Sequence, residues 1–541
     1  MATQNIHAQL IQNAAAAFQR GAWNEAAGLC QQVMSQFGED ANALMILGVI
    51  RMEGGDPAGA IEYLERAREL MPNHIHALVN LGTAYRAVGR LHEARIVLEA
   101  ALQVDRRFAI AHNNLGNVLL DIGDRENAKK EYERAVVAQP NYAEPIAGLA
   151  RIAEEEHRLD DARRLSERAL RLAPQNVPAQ LTRSRVALRE GDAAQAAAAL
   201  ETLLRGGSPT PTNRVIGEGY LGEAYDKLGR VDDAFAAFSR ANAIQHSQHI
   251  QAFGTDRGPM APETVRRLTD FVLATDLSTW CEAPPVSGKN PVFLIGFPRS
   301  GTTLLDQILA SHPQITTLEE RDTLFDATDA LIRPGEGFER WATLPASEIE
   351  RLRALYWQQV ATGMSGAPIR QVFVDKLPLN AIFLPIIHRL FPAAKIILAI
   401  RDPRDVVLSC FQQRFGLNAA MFQLLKLDSA TAYYDGVMGL VEASRAKLPL
   451  DLHMVKYEAL VGDFDATVRA LLAFLGLDWN DAVRGYAETA KKRAIGTPSA
   501  AQVVLPIYGS AEGKWRSYRH FLAPHLPRLE PWVRTYGYLP S

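Results

Sequence analysis

Self-similarity at a fixed step of 34 residues governs the first half of this chain. Leu-Gly pairs stand at Leu47-Gly48, Leu81-Gly82 and Leu115-Gly116, and Leu149-Ala150 keeps the phase. Gly21, Gly55, Gly89, Gly123 and Gly191 hold the same step, with His157 filling the gap, while Ala26, Ala60, Ala94, Ala128, Ala162 and Ala196 hold it without interruption. A last copy, Leu221-Gly222, Gly229 and Ala234, follows a four-residue insertion near Gly206 to Thr212, so seven units run between about residues 7 and 250. A unit of this length fits a helix hairpin. Small residues at fixed phase let the first helix approach the second. The glycine of segments such as Val88-Gly89-Arg90 and Ile122-Gly123-Asp124 permits a positive φ at the turn between them. Pro72, Pro140 and Pro174 close units where the second helix must stop.

This pattern resembles tetratricopeptide repeats. The resemblance implies an all-α superhelix whose concave groove grips a protein or peptide, docks onto the chain's own second half, or mediates dimerisation. It also revises the domain count. At about 100 to 200 residues per domain, 541 residues imply three domains, but an elongated array has no single core to outgrow, and two long regions account for the length.

Charge and cysteine content narrow the class. With 58 Lys and Arg against 61 Asp and Glu the formal charge is −3, which calls for neither nucleic acid nor an anionic membrane as main partner. Cys30, Cys281 and Cys410 are too few and too scattered for a disulfide framework or a zinc cluster, so no metal is expected. The N-terminal stretch lacks a basic segment followed by an apolar core, and His388, Arg389 and Lys395 interrupt the longest apolar run. A cytoplasmic chain without a membrane span is therefore expected.

Residues 251–289 carry Pro and Gly at both ends around the helical spacing of Glu263 to Leu277, and read as a partly helical linker. From 290 to 541 the pattern changes. Apolar runs at Pro291 to Gly296, Val372 to Val374, Lys395 to Ile400 and Leu452 to Val455 alternate with helical segments near 380–391, 404–413, 429–447 and 466–475. This alternation predicts an α/β domain with a parallel sheet and helices on both faces, with ligands at the carboxyl ends of its strands.

Two motifs fall at such ends. Gly296-Phe-Pro-Arg-Ser-Gly301-Thr302-Thr303 has the strand, turn and helix start of a phosphate-binding loop and the glycine spacing of a Walker A segment, but Thr302 stands where the lysine belongs. Backbone N–H groups, the hydroxyls of Ser300, Thr302 and Thr303, and the Arg299 cation suit a phosphate other than the terminal one of ATP. The second motif, Arg401-Asp-Pro-Arg404-Asp405-Val-Val-Leu-Ser409, places two arginines and a helix at another strand end. Arginines so placed serve either an anion or the neighbouring Asp402 and Asp405.

The two motifs together resemble the phosphate-binding segments of sulfotransferases that use 3′-phosphoadenosine 5′-phosphosulfate (PAPS), most closely the tyrosylprotein sulfotransferases and bacterial proteins that join tetratricopeptide repeats to such a domain. The resemblance implies a P-loop-like parallel-sheet domain. It implies that Arg299, Ser300, Gly301, Thr302 and Thr303 take the 5′-phosphosulfate, and Arg401 and Ser409 the 3′-phosphate. It implies Glu320 as catalytic base, with Glu319 the alternative if the register slips by one. It also implies Lys376 on the leaving phosphate, Ser499 as a catalytic serine, and Tyr457, Gln502 and Lys514 at the co-substrate. The chain departs from that pattern at Gln413, followed by Arg414, at Ala500 and at Asp322, beside Arg321. The acceptor stays open: a protein or peptide hydroxyl, tyrosine included, or a glycan. Two other readings compete, a P-loop kinase of a small hydroxyl compound and a repeat scaffold with an inactive nucleotide-binding domain.

Overall fold

The computed structural model describes residues 2–206, 209–255, 257–276, 280, 283–286, 289–333, 336–492 and 512–539. Its contacts divide the chain into two compact units, Met1–Asn213 and Arg214–Ser541.

The first unit is a run of helix hairpins, from Ala2–Gln19 with Trp23–Phe37 to Val177–Arg189 with Ala193–Gly206. The sequence period is visible in its packing. The phased alanines Ala26, Ala60, Ala94, Ala128, Ala162 and Ala196 are all wholly buried. The phased glycines of the first helices are there for want of room: a Cβ on Gly82 would lie 2.6 Å from Leu98 Cγ, and one on Gly116 2.7 Å from the Tyr132 ring. Each turn glycine adopts the left-handed conformation expected of it, from φ 75° at Gly21 to 91° at Gly123. His157 does the same at φ 60°. Its ring Nδ1 meets Arg189 Nη1 at 2.8 Å, which ties this exception to the following hairpin. Asp40, Asp56, Asp124 and Asn176 cap the helices that follow them through their side chains.

The second unit holds most of the last hairpin, Pro211–Lys227 with Val231–Phe253, and the α/β domain. Five parallel strands, β1 (Val292–Gly296), β2 (Ile315–Glu319), β3 (Val372–Lys376), β4 (Lys395–Ile400) and β5 (Asp451–Lys456), lie in the order β2-β3-β1-β4-β5. Four match the apolar runs of the sequence. The fifth, β2, carries Thr316 and Thr317 and so lacks an apolar signature. Alternate residues of the strands serve opposite faces. Val292, Leu294, Val374, Ile397 and Val455 join a core with the helices Thr302–Ser311 and Phe464–Leu475. Phe293 turns the other way, with ring centroids 5.9 Å from Tyr356 and 6.3 Å from Phe391.

The stretch 251–289 contains the helix Pro262–Ala274. It is anchored in the second unit: the Tyr433 hydroxyl donates to Met260 O at 2.7 Å, and Phe271 meets Trp341 edge-on at 5.6 Å. Among the described residues no helix is long and apolar enough to cross a membrane.

Candidate functional site at the strand ends

The register sets Gly296 beside Ala399 and Glu319 beside Lys376, so the strands deliver these residues to a common edge of the sheet. Beyond β1, the chain turns through Phe297 to Gly301 into the helix Thr302–Ser311. Two glycines are fixed by contact. A Cβ on Gly296 would stand 2.5 Å from the Ala399 carbonyl oxygen, and one on Gly301, at φ 95°, would stand 2.9 Å from Tyr457 Cδ2. Arg299 is held at φ 71° although it has a side chain. Ser300, Thr302 and Thr303 are buried at the start of the helix, where the positive end of the dipole favours an anion.

The second motif resolves its own ambiguity. Asp402 caps the helix Pro403–Gln412 by accepting from Arg404 N at 3.0 Å. Its carboxylate also takes the Arg404 guanidinium, Nε to Oδ1 at 2.9 Å and Nη2 to Oδ2 at 2.7 Å. Arg404 is 1% exposed and lies 4.1 Å over the Trp515 ring, so it serves the protein's own structure. Arg401 instead faces the first loop: its Nη1 donates to Arg299 O at 3.4 Å and its guanidinium lies 5.0 Å from the Tyr457 ring. Arg299 Nε in turn donates to Ser409 Oγ at 3.0 Å. Residues from two motifs 110 positions apart thus meet in one place.

Beside them stands an ammonium shared by two carboxylates. Lys376, at the end of β3, has no exposed surface and donates to Glu320 Oε1 at 2.8 Å and to Glu319 Oε1 at 3.3 Å. Burial raises the Glu319 carboxyl above the usual carboxylate range, against the pull of Lys376. Glu320 is the more open of the two, with 35% of its side chain exposed against 12% for Glu319. It sits at φ 45°, fixed by its own N–H donating to Lys376 O at 2.7 Å.

Lys514 is placed differently. Its Nζ donates to Asp226 Oδ2 at 2.7 Å and to Gln412 Oε1 at 2.9 Å, and the Tyr518 hydroxyl donates to the other oxygen of Asp226 at 2.6 Å. Gln412 is one helical turn beyond Ser409 on the helix Pro403–Gln412, so Lys514 joins that helix to a carboxylate of the last hairpin. Ser499 and Gln502 lie outside the described residues. Sequence reasoning offered Asp405 only as a partner of the neighbouring arginines. Its carboxylate accepts from Gly513 N at 2.7 Å and Trp515 N at 2.8 Å, and so pins the segment carrying Lys514 to the second motif. A lone Asp in a helical first turn gives no signal of a partner 108 residues away.

Residues 291–481 match the sulfotransferase family profile. Residues 39–107, 79–143, 147–213 and 181–247 match tetratricopeptide repeat profiles. An uncharacterised protein of Aquifex aeolicus is 29% identical over 343 residues, covering 61% of this chain and 43% of its own length. Protein-tyrosine sulfotransferase 1 of Danio rerio is 29% identical over 247 residues, covering 41% of this chain and 65% of its own. The chain thus spans less than two thirds of either relative. A tetratricopeptide repeat protein of Parabacteroides merdae, of known structure, overlaps 44% of this chain and 93% of its own at 16% identity, with a TM-score of 0.36. The chain joins tetratricopeptide repeats to a sulfotransferase-family domain whose strand ends bring Arg299, Lys376, Glu320, Arg401 and Ser409 to one edge of a parallel sheet.

Proposed function

We propose that the protein moves a sulfuryl group from PAPS to a hydroxyl of a protein, peptide or glycan acceptor. Residues 290–541 act as the enzyme domain, and the repeats of 7–250 as the platform that binds the acceptor or a partner. One observation carries this reading: the Arg299 to Ser409 hydrogen bond at 3.0 Å, which puts a loop for one phosphate group and a strand end for a second within a side chain's reach. A donor with phosphates at both its 5′ and 3′ positions matches two adjacent anion sites. ATP does not, and Thr302 replaces the lysine that a γ-phosphate needs.

The residues fit the chemistry. The loop Arg299–Thr303 holds the 5′-phosphosulfate, and Arg401 with Ser409 holds the 3′-phosphate, with Tyr457 packed beneath. The acceptor oxygen forms its bond to sulfur as the bridging bond from sulfur to the phosphate oxygen breaks, and the hydroxyl proton passes to Glu320. Negative charge grows on the departing phosphate oxygen, where Lys376 and Arg299 stand ready as fixed cations. Glu320 is preferred to Glu319 because it is more exposed and so within reach of an acceptor. The names of the protein-tyrosine sulfotransferase relatives support a tyrosine hydroxyl among the acceptors.

The test is transfer of radiolabelled sulfate from PAPS by the full chain into a cell lysate, resolved into protein, glycan and small-molecule fractions. Label enters protein or glycan, and Glu320→Gln lowers the rate about 100-fold or more. Label passing from γ-labelled ATP instead would overturn the reading.

A further inference from the structure

Asp375, the residue before Lys376, belongs to none of the roles above, yet it is wholly buried at the end of β3. Adjacent strand residues point to opposite faces, so while Lys376 reaches Glu319 and Glu320 on one face, Asp375 enters the other. There its Oδ2 accepts from Thr323 Oγ1 at 2.5 Å and from the Tyr356 hydroxyl at 3.0 Å. Its register partners, Leu318 of β2 and Phe293 of β1, bring no charge. Thr323, itself 1% exposed, lies three residues after Glu320.

The chain therefore leaves β2 at Glu319, crosses the end of β3 with Glu320 in the left-handed region, and is fastened on both sides of that strand. Lys376 holds it through the Glu320 carboxylate and backbone N–H, and Asp375 holds it through Thr323. A non-glycine residue at positive φ persists where its surroundings over-determine it. Without the second fastening, the turn is free to relax to an ordinary conformation that carries the carboxylate elsewhere.

We propose that Asp375 is a positioning residue which, through Thr323, fixes the turn that presents Glu320. The inference rests on the reading of Glu320 as the base. It adds a residue that touches neither donor nor acceptor and acts on the rate through the placement of Glu320.

The test uses the full chain with Asp375→Ala, Asp375→Asn, Thr323→Val and Tyr356→Phe. Four quantities are measured: kcat and KM for PAPS, affinity for 3′-phosphoadenosine 5′-phosphate, and amide hydrogen exchange of the peptide spanning 319–324. Asp375→Ala lowers kcat by about 30-fold and Thr323→Val by about 10-fold. KM and nucleotide affinity stay within about threefold, because Arg299, Arg401 and Ser409 are untouched. Asp375→Asn, which keeps an acceptor oxygen for Thr323, retains at least about a third of kcat. Exchange of the 319–324 amides speeds up about 10-fold in Asp375→Ala and Thr323→Val, while that of β1 is unchanged. If Asp375→Ala does not fold, the near-isosteric Thr323→Val carries the test. Wild-type kcat in a folded Thr323→Val, a parallel loss of nucleotide affinity, or unchanged exchange at 319–324 each overturns the proposal. A wild-type chain that binds no 3′-phosphoadenosine 5′-phosphate overturns the sulfotransferase reading instead, and the exchange measurement still decides whether Asp375 holds the turn.

Discussion

In the repeat array the left-handed turn positions fall at Gly21, Gly55, Gly89, Gly123 and Gly191, with His157 as the one substitution in the series. In the α/β domain the same backbone region also holds Arg299, beyond the end of β1, and Glu320, beyond the end of β2. The repeats spend glycine where a turn must reverse, and the conformation carries no further consequence. At the strand ends a strained conformation is kept by a residue whose side chain matters, held there by Ser409 and Tyr457 around the first turn and by Lys376 and Asp375 around the second. A side chain held at positive φ calls for contacts that over-determine it, as Arg189 supplies for His157 and Lys376 with Asp375 for the turn at Glu320.

This contrast breaks most sharply at Lys376. Removing it by Lys376→Ala leaves Glu319 and Glu320 facing each other and takes a cation from the leaving group, so sulfuryl transfer falls about 100- to 1,000-fold, measured as initial rate from labelled PAPS. Retention of more than a tenth of the activity contradicts its place in the site. The counterpart in the repeats is Gly116→Ala, whose new methyl would lie 2.7 Å from the Tyr132 ring. It destabilises the array by about 1 to 3 kcal/mol, read as the unfolding midpoint by circular dichroism, and leaves transfer to a small hydroxyl acceptor unchanged at temperatures where the array is folded.

A third test separates the two regions by pH. Burial pushes the Asp375 carboxyl from its ordinary 3.8 up to about 7; hydrogen bonds from Thr323 and Tyr356 oppose the rise and the charge of Asp322 adds to it. The folded chain then holds a proton that the unfolded chain has released, so this group's contribution to stability falls as pH rises from about 4 to about 7. Asparagine has no proton to lose. The melting temperature of Asp375→Asn relative to wild type therefore climbs between pH 5 and pH 8, and a pH-independent difference would contradict the buried-acid account. The smallest effect belongs to the exceptional turn. His157→Gly relieves a left-handed conformation that costs a side chain about 1 to 2 kcal/mol but loses the Arg189 contact, so it raises stability by under about 1 kcal/mol; a loss of stability would show that the contact outweighs the strain.

What the sequence disclosed follows the same divide. A repeated requirement writes itself several times, and so Gly82 and Gly116, the phased alanines and even the substitution at His157 stood out from spacing alone. The two motifs were legible because each is a contiguous run after an apolar strand, whereas Lys376 and Glu320 were picked out only by the family resemblance. Asp375 was not, because its partners Thr323 and Tyr356 stand 52 and 19 residues away and each is an unremarkable residue in its own segment. The strand β2 hid behind its threonines. The helix Ala346–Met364, which supplies Tyr356, carries no motif, and its role emerges only from what its buried face touches. Of the two arginines beside aspartates, Arg404 pairs with Asp402, while Arg401 turns to the first loop.

The proposed function requires two phosphate sites side by side at the strand ends. Titration calorimetry of the full chain with 3′-phosphoadenosine 5′-phosphate and with 5′-AMP, which lacks the 3′-phosphate, tests it directly. The first is expected to bind at least about 10-fold more tightly, a difference of about 1.4 kcal/mol or more, and Arg401→Ala to abolish the gap. Equal affinity for the two nucleotides, or tighter binding of ATP than of either, would contradict it.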